Sequence, residues 1–361
     1  MEQLYHLLDA FLAPGILVGL AVCLIFLYIP PKAALRNYRV ARYVMGGAYL
    51  FYALCISLEY NVFSASESAA LTQPIILFIA CFQAFLFTYT MITLIRINYV
   101  PLQQVVMELA VIVVISVALF VLRLCYPGTV AQWASWIYMA FYIAMLVRYV
   151  LMFNREYRHY ESQMDNFYSD EDTRRLYWVK RSFYISLAVG VLALLYALLP
   201  VTAVGIVFMA IVIVFYAAFG VRFINYVLHF QSIETAITAS VEEASLDEDI
   251  DNEMMQRIDT LMTEEKLYRK SDLSVADIAE RLGGRAREVS MVISACRQVN
   301  FKTYINEYRV VEAMRLLNED KSNKRTIDAI ASEAGFANRS SFYRVFKRSQ
   351  GISPTDYRMS N

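Results

Sequence analysis

The sequence predicts an all-α protein in two parts: a seven-helix transmembrane bundle, then a cytoplasmic all-helical domain that carries one helix–turn–helix plan twice. Three observations predict it. Apolar runs of membrane-crossing length recur through residues 1–230, where 14 Lys/Arg and 11 Asp/Glu are thinly spread. Past Phe230 the composition turns polar, first acidic (4 basic against 11 acidic residues over 231–270) and then basic (15 against 11 over 271–361). Within the basic part, two segments 52 residues apart share one pattern. The net charge of zero is therefore a cancellation between an acidic connector and a basic domain.

The apolar part comes first. A hydrocarbon core of ~30 Å takes about 20 apolar residues in helical form. Such runs are read at 11–29, 42–63, 72–95, 102–125, 130–153, 179–199 and 201–229. The last two share the stretch from Phe183 to Phe230, whose only charge is Arg222; it is too long for one span and suits two with a turn at Pro200. The opening "MEQLYHLLDA" has no basic n-region, which argues against a cleaved signal peptide. Orientation follows from the basic residues. The first connector holds Lys32, Arg36, Arg39 and Arg42, the third Arg96, and the fifth (154–181) Arg155, Arg158, Arg174, Arg175, Lys180 and Arg181. The other side holds at most Arg123. The odd connectors and the C-terminus are thus predicted cytoplasmic, with Trp133, Trp136 and Tyr138 in the outer interfacial belt.

Ion-coupled transport needs ionisable groups near mid-bilayer. Glu59, Glu108, Arg123 and Arg148 all fall near predicted span ends. The central polar groups are mild: Gln83, Thr88, Tyr89 and Thr93 on the third span. They either bond neighbouring helices or line a small pocket, with Gln83, Thr88 and Tyr89 as the candidate ligand-facing residues. Cys23, Cys55, Cys81, Cys125 and Cys296 are isolated, and no metal spacing is present, so buried thiols outside any disulfide are expected. With three His, no Ser/His/Asp grouping and no phosphate-cradling Gly loop, neither catalysis nor a cofactor or metal is expected.

The polar part divides at the acidic run "SVEEASLDEDIDNE" (240–253), a solvated linker within 231–254. From there Ile250, Met254, Ile258 and Leu261 recur at helical spacing and are expected to pack on their own domain. "LSVADIAERLGGRAREVSMVI" (273–293) and "RTIDAIASEAGFANRSSFYRVF" (325–346) then repeat one another. Ser274 and Thr326 are hydroxyl N-caps, followed by Ile278-Ala279 and Ile330-Ala331. Gly283 and Gly335 stop each first helix, because glycine tolerates the left-handed backbone of such a turn. A second helix follows, with Val289, Val292 and Ile293 in one copy and Phe342, Val345 and Phe346 in the other. A long amphipathic helix near 303–318 joins the two modules, placed at 274–297 and 326–349. In a helix–turn–helix the second helix lies in the major groove of DNA.

At these residues the sequence resembles the AraC/XylS family of bacterial transcription regulators. The resemblance covers about 255–361 and is carried by "GFANRSSFYRVFKRSQGISPTDYR", "NFKTYINEYRVVEAMRLL" and "LMTEEKLYRKSDLSVADIAERLG", the last similar to membrane-attached members. It implies base contacts at Arg339, Ser340 and Arg344, and in the first module at Arg287, Ser290 and Met291. Tyr343 and Lys347 share reach of the groove, and Arg285, Arg287 and Arg297 are candidate phosphate anchors. The first module departs from the family pattern at Met291 and Gly284, which points to apolar contact with thymine methyls. The implied whole is a multi-pass regulator in a bacterial inner membrane. Its expected partners are double-stranded DNA, the lipid bilayer, RNA polymerase, a second copy in a homodimer, and an unidentified small-molecule or membrane signal. The alternative from another class is a membrane receptor or transporter whose C-terminal helices bind a protein.

Overall fold

The structure is a computed structural model that describes residues 11–29, 36–58, 69–95, 102–126, 128–169, 177–198, 202–239, 248–320 and 324–360. Glu59, Lys32, Arg96, Arg174, Arg175, the turn read at Pro200 and most of the acidic run fall outside them. The described residues form an all-helical fold with no strand. They group into two compact units, 1–158 with 176–230, and 159–175 with 231–361.

The first unit holds α1 (Ala13–Phe26), α2 (Arg36–Leu58), α3 (Ala69–Ile95), α4 (Leu102–Cys125), most of α5 (Thr129–Met164), α6 (Tyr177–Leu198) and the greater part of α7 (Thr202–Ala239). Each predicted span overlaps one of these helices, with 59–63 of the second lying outside the described residues. Six of the seven are long and apolar enough to cross a membrane. The exception, α1, has 14 residues, about 21 Å at 1.5 Å per residue, against a core of about 30 Å. Helix α3 is the centre of the unit and α4 its most exposed member. Val106, Met107, Val111, Val114, Val117 and Val121 on α4 are exposed, as suits a face that meets lipid tails.

Tyrosines knit this unit together. Tyr49 donates to the Tyr216 carbonyl at 2.9 Å, and Tyr216 to the Gln83 side-chain oxygen at 2.7 Å. Tyr142 donates to the Gly190 carbonyl at 3.1 Å. Trp133 and Trp136 are exposed, as an interfacial belt requires, but Tyr138 is buried. The physical reason is angular: at 100° per residue Trp133 and Trp136 share a face, and Tyr138 points roughly opposite Trp136. The cysteine expectation also needs correction. No disulfide joins them, but only Cys81 is buried; Cys23, Cys125 and Cys296 are exposed.

The second unit contains α8 (Glu248–Thr263), a 3₁₀ turn (Leu267–Arg269), α9 (Val275–Leu282), α10 (Ala286–Arg297), α11 (Phe301–Glu319), α12 (Ile327–Glu333), α13 (Arg339–Gln350) and α14 (Pro354–Ser360). Two hydrophobic clusters hold it. Met255, Ile258, Ile278, Val289, Val292 and Ile293 belong to the first, Ile330, Ala331, Phe336, Phe342 and Phe346 to the second. Helix α11 runs through both, giving Phe301, Tyr304 and Ile305 to one and Val310, Ala313 and Leu316 to the other. Each fully buried Val, Leu, Ile or Phe side chain among them stabilises by about 1.5–3 kcal/mol. Met254, Ile258 and Leu261 of the stripe on α8 pack on their own domain as expected, and the Ile250 side chain lies outside those described. The last turns of α5, from His159, also belong to this unit, and so does the short strap that follows, Asp165–Ser169.

Candidate nucleic-acid interface

Two helix pairs, α9 with α10 and α12 with α13, are built from short capped helices. Ser274 and Asp277 form a capping box at α9: the Ser274 amide donates to the Asp277 carboxylate at 2.7 Å, and the Asp277 amide to the Ser274 hydroxyl at 3.3 Å. Thr326 accepts from the Ala329 amide at 3.1 Å and Asn338 from the Ser341 amide at 2.9 Å, starting α12 and α13. These contacts satisfy orphan N–H groups that a short helix otherwise leaves open. Both pairs turn at a left-handed glycine, Gly283 at φ 67° and Gly335 at φ 94°. At Gly335 a Cβ would also collide with the Tyr268 carbonyl oxygen, so close approach and backbone hand both demand glycine there.

On α13 the core residues Phe342 and Phe346 are buried, and Arg339, Ser340, Arg344 and Lys347 are exposed. Arg339 lies over the Tyr343 ring at 5.1 Å and pairs with Asp328 at 3.5 Å. Tyr343 is half-buried, its hydroxyl 2.8 Å from that of Thr355 on α14, so it ties two helices together as well as bordering the polar face. The face can give guanidinium forks and ammonium donors to base edges or phosphates.

The corresponding face of α10 is less open. Arg287, Ser290 and Met291 are all half-buried. The Arg287 guanidinium leans on the Met291 sulfur at 3.4 Å, and Ser290 Oγ donates to the Asn166 carbonyl at 2.9 Å. Arg285 sits 3.9 Å from Glu288, and Arg297 is paired with Asp259 on α8. Asp259 also accepts from Tyr304 at 2.7 Å and Tyr308 at 3.0 Å.

Asn166 belongs to the strap. There the Ser169 amide donates to the Leu273 carbonyl at 3.1 Å and the Val275 amide to the Phe167 carbonyl at 3.0 Å, an isolated antiparallel bridge between Tyr168 and Ser274. Lys302, in the first turn of α11, donates its amide to the Asp165 carbonyl at 3.1 Å and its ammonium to the Asp165 carboxylate at 2.8 Å. Phe167 packs against the first cluster. Beneath the strap lies Arg309, 1% exposed, the residue that sequence reasoning missed. It donates to the carbonyls of Tyr268 (2.8 Å), Lys270 (2.8 Å), Ser271 (3.3 Å) and Ser169 (3.3 Å), and to Ser169 Oγ (3.0 Å). Its only signal was a lone arginine between apolar residues of a long helix.

Charge networks brace the pairs. The Arg315 guanidinium, hydrogen-bonded to Glu312, and then Arg269 hold that buried carboxyl down at about 2 against the effect of burial. For Asp277 burial opposes ionisation, but the bonds from Lys270 and Ser274 outweigh it and keep the carboxyl below its usual range.

The three candidate ligand-facing residues of the first unit separate. Gln83 and Thr88 line a cavity of about 90 Å³ with Tyr52, Tyr142 and Tyr216. The Gln83 amide there already donates to the Ala48 carbonyl at 3.1 Å. Tyr89 instead donates to Glu108 at 2.6 Å, and Glu108 pairs with Arg148 at 3.0 Å.

Residues 278–360 match a family described as a helix-turn-helix domain. No curated protein and no solved structure matches the chain.

Proposed function

We propose, on the premise that residues 278–360 form an AraC-type helix-turn-helix domain, that this protein is a membrane-tethered, sequence-specific DNA-binding transcription regulator. The apolar half anchors it and senses a signal, and α9–α10 and α12–α13 serve as two DNA-binding modules. One observation carries the reading: Arg339, Ser340, Arg344 and Lys347 stand exposed on one helix whose opposite side is fixed in the core by Phe342 and Phe346. Positioned arginines on the second helix of such a pair suit bidentate contact with guanine. The full chain in detergent should bind duplexes enriched from a random pool, with affinity falling steeply as salt rises. Arg344→Ala should lose about 1–3 kcal/mol of discrimination, and Met291→Ala about 1 kcal/mol of apolar contact at most. A larger loss of specificity from Met291→Ala would refute this division of labour.

The buried Glu108 held by Tyr89 and Arg148 favours a second reading, a membrane receptor or transporter whose C-terminal helices bind a protein. Under that reading the full chain selects no duplex from the pool at any salt.

A further inference from the structure

The strap places main chain against the side chain that the first module would turn toward DNA. Asn166 contributes its carbonyl oxygen to Ser290 Oγ at 2.9 Å. A hydroxyl engaged in that way has no proton left to donate to a base edge, and the Asn166 main chain takes up the space beside it. In the second module, offset by 53 residues, Arg344 is exposed where Met291 is half-buried, and Tyr343, which answers Ser290, is half-buried with its hydroxyl on Thr355 of α14.

We propose that Asp165–Ser169 is an intramolecular mask on the first module, and that the state of the membrane half decides whether the mask is on. This rests on the DNA-binding reading above.

Two features make the strap removable. Its contacts are polar except for Phe167, which is only partly buried, and Ser169 is its buried point. When Ser169 departs, Arg309 keeps the Tyr268 carbonyl on Nε, the Lys270 and Ser271 carbonyls on Nη2 and Asn306 Oδ1, at 3.5 Å, on Nη1, so each guanidinium nitrogen retains an acceptor. A third feature makes it controllable. The strap follows directly on α5, whose residues run from Thr129 to Met164 without a break, and α6 begins at Tyr177. Any shift of α5 or α6 that a signal produces must pull on the strap through a few residues of chain. A ligand that favours the shifted arrangement would bias the mask by its differential affinity for the two states.

The test uses the full chain in lipid nanodiscs. Asp165→Cys with Lys302→Cys places two thiols where backbone atoms already lie 3.1 Å apart, and neither residue belongs to the DNA-reading sets. Duplexes enriched from a random pool by the reduced protein serve as the probe, and wild-type protein under the same oxidant controls for the native cysteines. Oxidation should lower affinity about tenfold or more, the scale of losing one module's base contacts, with recovery on reduction. Ser169→Ala should act in the opposite sense, raising affinity while amide exchange quickens at 165–169 and stays slow across α10. Equal affinity and equal sequence preference in oxidised and reduced protein would overturn the mask and leave the DNA-binding reading standing. A loss of binding in Ser169→Ala with α10 still protected would also overturn it. If the reduced protein and the wild type both select no duplex, the DNA-binding reading itself fails, and the mask with it.

Discussion

Gly283 and Gly335 occupy equivalent turns, but their surroundings differ. Both have positive φ, and only at Gly335 would a Cβ meet backbone, the Tyr268 carbonyl and the Arg269 Cα. Gly283→Ala should therefore cost about 1 kcal/mol, the left-handed penalty alone. Gly335→Ala should cost about 2–4 kcal/mol, because the 3₁₀ turn must also move. Amide exchange of the full chain in micelles checks this: the alanine at 335 should loosen α12 and the Leu267–Arg269 turn together, and the one at 283 only its own turn. The pattern of the sequence made both glycines legible as turn formers. It gave no hint of their difference, since Tyr268 lies 67 residues before Gly335 and the clash exists only once the chain has folded.

Among the elements, α11 carries the most connections, and its charges were harder to read than its apolar stripe. Glu312 is buried and ties α11 to the 3₁₀ turn through Arg269, with Arg315 beside it. Its carboxyl sits at about 2 against an ordinary 4.5. A lowered carboxyl stabilises the folded state fully above the unfolded value, and that contribution is lost as pH falls through the folded one. The tie should thus be complete above about pH 5 and fade between 4.5 and 2. Glu312→Gln should cost about 1–2 kcal/mol near neutrality, since both arginines are partly screened by water. Amide exchange over 309–317 should show the gap between variant and parent closing toward pH 2. Caps and core positions on the short helices were legible because they depend on residues three or four apart. Arg309 was not, because four of its six acceptors are main-chain carbonyls of other elements.

For the whole molecule, the distribution of basic residues predicts a topology that does not depend on whether α1 crosses the bilayer. If α1 spans, the chain begins outside; if it lies along the cytoplasmic surface, the start is inside, and every later connector keeps its side. Cysteine labelling or reporter fusions should place 30–41, 154–181 and the C-terminus in the cytoplasm, and 61–71 and 126–130 outside. Finding 154–181 outside would remove the helix-turn-helix domain from reach of the chromosome. The division of the chain was legible in part. Composition marks the change from apolar to polar past Phe230, but the second unit also takes in 159–175. No periodicity connects Ser169 to Leu273 or Arg309, which are 104 and 140 residues away.

Because the second unit is assembled from two stretches of chain, a single protease cut would not set it free. Severing the acidic run at 240–247 breaks the covalent route from α7, yet the fragment beyond it remains clasped to Asp165 through Lys302 and to Ser169 through Arg309. On the membrane-tethered, masked reading proposed above, the cut product would stay at the membrane with its first module still covered. Liberation of a diffusible fragment would require the clasp to open as well, so cleavage and signal would have to coincide.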